Sequence, residues 1–533
     1  MKTLKNIKYI GLIAIAIGFT SCNDESDYEE FLDVQPDTGV VLPTLTNGSV
    51  DFSKYVALGA SFTSGYTDGA LFKAAQENSF PNTLSKQFVK VNGTAITLPL
   101  MNDNIGGLVF GSTVVANPRL FFNGSGPQVL PATPTTDITT SLAADGSIFT
   151  NVGVPGAKST HIDFNGYATA NPYFGRMATS STISMLEYAI AQNPTFFTLS
   201  EIGGNDVLGY ATTGGDGSDP ITPTATFDVV FTDMVNQLTA VCPNGVVTNV
   251  PYITDLPHFT TVPYNPLDPT NPSFGPQIPL LNSIFGALNP IFNAVDPARA
   301  IVFSETSASP VVIKDESLAD ISAIIIQQLN ASPTFPGFIA QFGLPASAAP
   351  LVANLLGATY GQSRQATEAD LLVLPSSSII GTVNTANVAT LMGQGLPQAL
   401  AGQFSVEGVS LPLADKWVVL PSEQAEIKTA TDAYNATIAS VANSKGLALV
   451  DLNAILSQAS VMGVEFDDYN LSTSLVTGGL VSLDGVHLTA RGYALMANKF
   501  LEAIDATYGS NFVASGNVAK AEDFGVTYSP ALQ

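Results

Sequence analysis

Cysteine is nearly absent. The 533-residue chain has two, Cys22 and Cys242, so no disulfide framework holds it together. Histidine is almost as scarce, with His161, His258 and His487 alone, too few for a His/Cys metal cluster. Cations are few as well: 19 Lys and Arg face 44 Asp and Glu, a formal net charge of −25. A surface of that sign repels phosphate backbones, which excludes nucleic acid as a partner class. Charged residues of both signs amount to only 12%, and Trp417 is the single tryptophan. There is no internal repeat. Past the N-terminus no run of 18 apolar residues occurs, so no further membrane-spanning segment is expected. What the chain does have is 45% apolar residues, enough for a large core and too many for disorder. It also has 45 Gly and 34 Pro, which calls for many turns and long loops.

The first residues read as an address. Lys2, Lys5 and Lys8 precede an 11-residue apolar run, Tyr9 to Phe19, too short to cross a bilayer. Phe19-Thr20-Ser21-Cys22 resembles a bacterial lipoprotein lipobox, with Phe where Leu is usual. The resemblance implies a signal peptide over residues 1–21, cleavage before Cys22, and membrane anchoring through acylation of Cys22. The acidic stretch Asn23 to Glu30 opens a tether over residues 22–50 that cannot pack and should be extended. An acidic run at that place is similar to the surface-export signal of Bacteroidota lipoproteins, which implies a lipid-anchored outer-membrane protein exposed at the cell surface. Cys242, flanked by Leu238, Ala240 and Val241, is then the lone thiol and is expected to be buried.

From residue 51 to 510 short apolar runs alternate with amphipathic stretches, the pattern of βαβ units and a parallel sheet. Strands are expected at 55–58, 147–152, 196–200, 245–250 and 447–451. Helices are expected near 70–88, 180–192, 226–241, 423–444 and 489–508. Two segments break the rhythm. Residues 89–144, rich in Gly, Pro, Asn and Thr, suggest hairpins, and residues 259–416 set Pro-rich loops around apolar helices at 321–329 and 348–356. Both are expected as insertions folded against one core, with a separate domain in the longer one as the alternative, and residues 511–533 as a C-terminal tail.

A general base working near neutral pH is most often histidine. His258 and His487 each have an Asp three residues upstream, Asp255 and Asp484. Only Asp484-Gly485-Val486-His487 has an intervening Gly and a helix just after it. That spacing lets Asp484 fold back onto the imidazole Nδ1–H, fixing the tautomer and stabilising the imidazolium. Pro257 stiffens the other turn. His161 and Asp163 lie two apart with no second His nearby, which reads as an exposed loop pair rather than a metal site. Ser61 follows a strand and Gly59 at a strand-to-helix turn, where open α/β sheets gather their ligands. Gly156, in a Pro-Gly turn, can bring its N–H close, and Asn205, after Gly203-Gly204, can offer a side-chain N–H. Acyl transfer needs donors of this kind where negative charge develops.

Taken together, Gly59-Ala60-Ser61-Phe62, Asn151 to Ala157, Gly203-Gly204-Asn205-Asp206 and Asp484 to His487 resemble, in order, four sequence blocks of the GDSL/SGNH hydrolase family. The resemblance implies a three-layer α/β/α fold with a five-stranded parallel sheet, carrying the two insertions. It also implies Ser61 as nucleophile, His487 as base, Asp484 as its orienting acid, and an oxyanion hole from Ser61, Gly156 and Asn205. Ala60 stands where the motif has Asp, and Phe62 where it has Leu. The expected activity is that of a serine esterase or lipase on acyl or lipid-like esters, with no cofactor. The alternatives are a polysaccharide acetyl esterase and a non-catalytic surface binding lipoprotein on a hydrolase frame.

Overall fold

Five short runs, buried but for the partly exposed Leu449, pair side by side in the computed structural model, which describes residues 41–533. They are β1 (Tyr55–Gly59), β2 (Asn151–Gly153), β3 (Phe196–Ser200), β4 (Gly245–Thr248) and β5 (Ala448–Val450). All neighbours are parallel, in the order β5-β4-β3-β1-β2. Tyr55 pairs with Phe196 and Gly59 with Ser200, so β1 and β3 run level at the centre. Every residue of both strands is buried, which requires cover on both sheet faces and explains runs without polar alternation. The expected signal peptide, Cys22 and most of the tether lie outside the described residues. Leu45–Gln533 forms one compact unit, beginning a little before the expected boundary because the Ser49 N–H bonds the Tyr508 carbonyl.

The helices that position the site follow the strands. They are α1 (Ser61–Ser64), α2 (Phe80–Phe88), α3 (Met185–Ile190), α4 (Gly204–Thr212), α5 (Thr224–Val241), α6 (Pro421–Lys445), α7 (Leu452–Val461) and α8 (Ala490–Tyr508). One group packs α8 against α2, β4 and β5; another packs α5 with α3 and α6, and α6 on β4 and β5. Where helices are shorter than expected, local chemistry sets the limit. The 70–88 stretch splits at Asn78, and α2 starts afresh with Pro81 in its first turn. A capping box of Ser184 and Glu187 starts α3 several residues after the expected 180. The run 147–150 stays outside the sheet.

At the amino edge of the strands Phe52, Phe88, Phe196 and Phe512 form an aromatic cluster, with Phe52 stacked on Phe88 at 4.1 Å. That end is a dry core. Cys242 is buried nearby, as expected, and burial pushes its thiol up to about 11.

Residues 89–144 form two antiparallel hairpins, Leu108–Phe110 with Thr113–Ala116 and Leu120–Phe122 with Pro127–Val129. The longer insertion belongs to the same compact unit. It builds an apolar core of its own around Phe285, Phe292, Ile313 and Tyr360, touching the main core through Trp417. Inside this insertion Arg364 bridges Asp315 and Asp370 at 2.6 and 2.7 Å, a buried ion network with its hydrogen bonds filled. Its helix Ile278–Val295 belongs to a 21-residue segment of mean hydropathy 1.3, long and apolar enough by length and composition to cross a membrane. Here it sends Phe285, Leu288 and Phe292 into the insertion core. The C-terminal residues are held too: the fully buried Arg119 donates to the carbonyls of Tyr528, Ser529 and Leu532.

Gly153 ends β2 where α1 crosses it. A Cβ at Gly153 would run into the backbone of Thr63 and Ser64, so Gly153→Ala is expected to destabilise by about 1–3 kcal/mol through overpacking. Urea unfolding of the variant beside wild type checks it; an unchanged midpoint would mean that α1 shifts without cost.

Candidate functional site

At the carboxyl edge of β1 the chain turns directly into α1, whose first residue is Ser61. A helix start leaves backbone N–H groups without carbonyl partners. Ala60 supplies no side-chain cap. The cap comes instead from Glu201, which follows β3 in a left-handed conformation, φ 57°. Its Oε1 accepts the N–H groups of Ala60 (3.0 Å) and Thr63 (2.8 Å), and its Oε2 accepts that of Phe62 (2.7 Å). Three of the four N–H groups around the turn converge on one carboxylate. The fourth, that of Ser61, has no partner among the described residues. Asn151 fixes the same helix from the other side, its Nδ2 donating to the Thr63 carbonyl at 2.8 Å.

After α1 the segment Thr67 to Gly69 is strapped to the loop 482–488, more than 400 positions away. Thr67 Oγ1 donates to the Leu488 carbonyl (2.8 Å), and the Asp68 N–H to Ser482 Oγ (3.0 Å). The Leu483 N–H donates to Asp68 Oδ1 (3.0 Å), and the Gly69 N–H to Asp484 Oδ2 (2.8 Å). Asp484 in turn accepts His487 Nδ1 at 2.9 Å, as the Asp-x-x-His spacing predicts. The backbone N–H groups of Val486 and His487, each 2.9 Å from Oδ1, close the loop around it. Burial pushes Asp484 upward, but the His487 ring and these hydrogen bonds outweigh it and hold the carboxyl well below the usual carboxylate range. Asp484 is therefore a fixed anion at any pH where the protein works. Tyr66 and Phe62 flank the imidazole, with ring centroids 4.6 and 5.9 Å away.

Asn205 stands in the first turn of α4, and its Nδ2 donates to the Ala157 carbonyl at 3.0 Å. That bond joins the Gly-Gly-Asn-Asp turn to the residue after Gly156, which itself adopts φ 77°. Asp206 ties the same two loops by accepting the N–H and Oγ of Ser159. One amide hydrogen of Asn205 and the N–H of Gly156 keep no partner among the described residues. Neither do Ser61 Oγ and His487 Nε2, which do not bond each other in this state. Ser61, at 7% exposure, and Asn205 line one cavity together with Glu201.

The other two histidines stand apart from this chemistry. His258 lies behind the acid loop, its N–H bonding the Gly485 carbonyl, and both its ring nitrogens are buried without a partner. Burial lowers its pKa, which keeps the ring neutral. Asp255 meets Ser457, not His258. His161 Nδ1 accepts the Lys158 N–H, its ring stacks on Tyr167, and Asp163 bonds Ser184 and Gln237. The pair is thus spent on capping and packing. Elsewhere Glu316, Asp415 and Glu423 bring carboxyl oxygens within 4.8 Å of one another. Burial raises Asp415 and Glu423, and Glu423 caps α6 by accepting the Leu420 N–H.

Glu201 is the residue that sequence reasoning missed. Its signal was an acidic residue ending a fully buried strand just before Gly-Gly-Asn-Asp, a place where only a partnered charge is tolerated. No protein-family model, curated protein or solved structure matches the chain.

Burial pushes Glu201 up to about 7, with the N–H groups of Thr63 and Phe62 opposing it. A carboxyl whose folded pKa is raised binds more protons folded than unfolded, so its stability contribution falls as pH rises between the two values. Against Glu201→Gln, wild type should lose about 3 kcal/mol between pH 4.5 and about 7. Urea titrations of both proteins across that window measure the difference, and parallel curves would mean that Glu201 ionises without penalty.

Proposed function

We propose that the protein is a serine hydrolase of carboxylic esters on an SGNH-like frame. The reading rests above all on the strapping of the Asp484–His487 loop to the segment that follows Ser61. This brings a nucleophile, an oriented imidazole and unspent N–H donors to one sheet edge. In the proposed reaction Ser61 Oγ attacks the ester carbonyl carbon while His487 Nε2 takes its proton. The oxyanion meets the N–H groups of Ser61 and Gly156 and the amide of Asn205. Collapse of the tetrahedral species breaks the bond to the alcohol oxygen, which receives the proton from His487. Water, activated by the same imidazole, then releases the acid and restores Ser61. Asp484 remains ionised throughout and balances the imidazolium.

Ala60, where the family motif has Asp, does not argue for a merely binding role, because Glu201 supplies a carboxylate to the same turn. The N-terminal address belongs to the same proposal on sequence grounds alone: cleavage before Cys22, acylation there, and an outer-membrane, surface-exposed location.

Hydrolysis of p-nitrophenyl esters by the purified protein tests the assignment. Ser61→Ala and His487→Ala should each lower kcat by about 10³-fold or more. Asn205→Ala should lower it about 10²–10³-fold. Near-normal turnover in Ser61→Ala would refute the role of Ser61 outright.

A further inference from the structure

Ser61 and Asn205 line a cavity of about 90 Å³. Its walls are apolar and come from four elements. Leu208 belongs to α4 and Leu256 follows β4, Leu456 lies on α7, and Leu495 and Met496 lie on α8. Along α8 the lining runs from Gly492 to Lys499, seven residues or roughly 10 Å of helix. Ile455 and Lys499 also line a second cleft between α7 and α8, where the partly exposed Lys499 pairs with Glu502 at 2.9 Å. The polar side chains that line the first cavity are Ser61, Glu201, Asn205 and Lys499.

We infer that this cavity holds the acyl chain of the ester whose carbonyl lies at Ser61, and that the substrates are medium-chain acyl esters. The inference rests on the serine-esterase reading and adds the acid component to it. A chain attached to a carbonyl at Ser61 can enter the apolar cavity that Ser61 itself lines. Each methylene buried there favours binding roughly three- to fourfold. A sugar in the same place would leave its hydroxyls without partners, because the walls offer none. An acetyl group would leave most of the cavity empty. The chemistry is unchanged: the acyl–oxygen bond to the alcohol breaks, the bond to Ser61 Oγ forms, and water reverses it.

The test is a p-nitrophenyl series of acetate, octanoate and palmitate, run on wild type, Ser61→Ala and Leu456→Trp. Wild type should prefer octanoate over acetate by about tenfold or more in kcat/KM and fall off at palmitate. Leu456→Trp, which fills the cavity, should lower the octanoate-to-acetate ratio at least about tenfold. A wild-type optimum at acetate overturns the acyl cavity while leaving the serine-esterase reading standing. So does an unchanged ratio in a Leu456→Trp protein with the wild-type urea midpoint. Absence of any Ser61-dependent hydrolysis overturns the esterase reading, and the acyl cavity with it. Should Leu456→Trp fail to fold, the wild-type chain-length profile decides alone.

Discussion

Five groups converge on the carboxylate of Asp484: the N–H groups of Gly69, Val486 and His487, the hydroxyl of Ser482 and the Nδ1 of His487. The rest of the site depends on this convergence. It folds the Asp-x-x-His loop, sets the imidazole so that Nε2 is the free nitrogen, and holds the loop to the chain segment beyond Ser61. An isolated buried carboxylate would protonate. Five donors, one on a ring that can take a charge, keep it ionised instead. Removing a single donor would leave a buried anion short of a partner, a larger loss than the bond itself is worth.

The parallel sheet makes that convergence possible. Its strands all point their carboxyl ends one way, so loops that are distant in sequence meet at one edge. The amino edge is packed by the cluster of Phe52, Phe88, Phe196 and Phe512. Both insertions leave the frame at loops and return to it, which spares the strand pairing. The longer one needed a core of its own, because 158 residues (259–416) expose more apolar surface than one sheet edge can cover.

Strands β1 and β3 were legible because Tyr55-Val56-Ala57-Leu58 and Phe196-Phe197-Thr198-Leu199-Ser200 are compact apolar runs, bounded on each side by Gly, Lys or Pro-type breaks. Ser147 to Thr150 has the same β-prone composition but lacks a neighbour to pair with, and pairing is a tertiary fact. At the site, Ser61, Gly156, Asn205, Asp484 and His487 could be picked out because each stands in a short motif at an element boundary. Glu201 has no motif. Its three bonds go to backbone N–H groups 138 to 141 positions away, and a carboxylate that recognises backbone leaves no partner residue type to search for. The apolar cavity was equally hidden, since Leu208, Leu456 and Met496 read as ordinary core positions on three different helices.

Ala60 and Glu201 together show why a departure from a motif is weak evidence of lost function. What the turn before Ser61 requires is an acceptor for the N–H groups that a helix start leaves open, and the physics is indifferent to which loop provides it. Supplied just after β3, the acceptor also links the turn at Ser61 to the segment that runs into α4, on which Asn205 stands. The link has a consequence for selectivity among N–H groups. Successive residues at a helix start point their N–H groups in different directions, so a single carboxylate gathers those of Ala60, Phe62 and Thr63 and misses that of Ser61. Of the four N–H groups at this turn, that of Ser61 alone is left without a partner among the described residues.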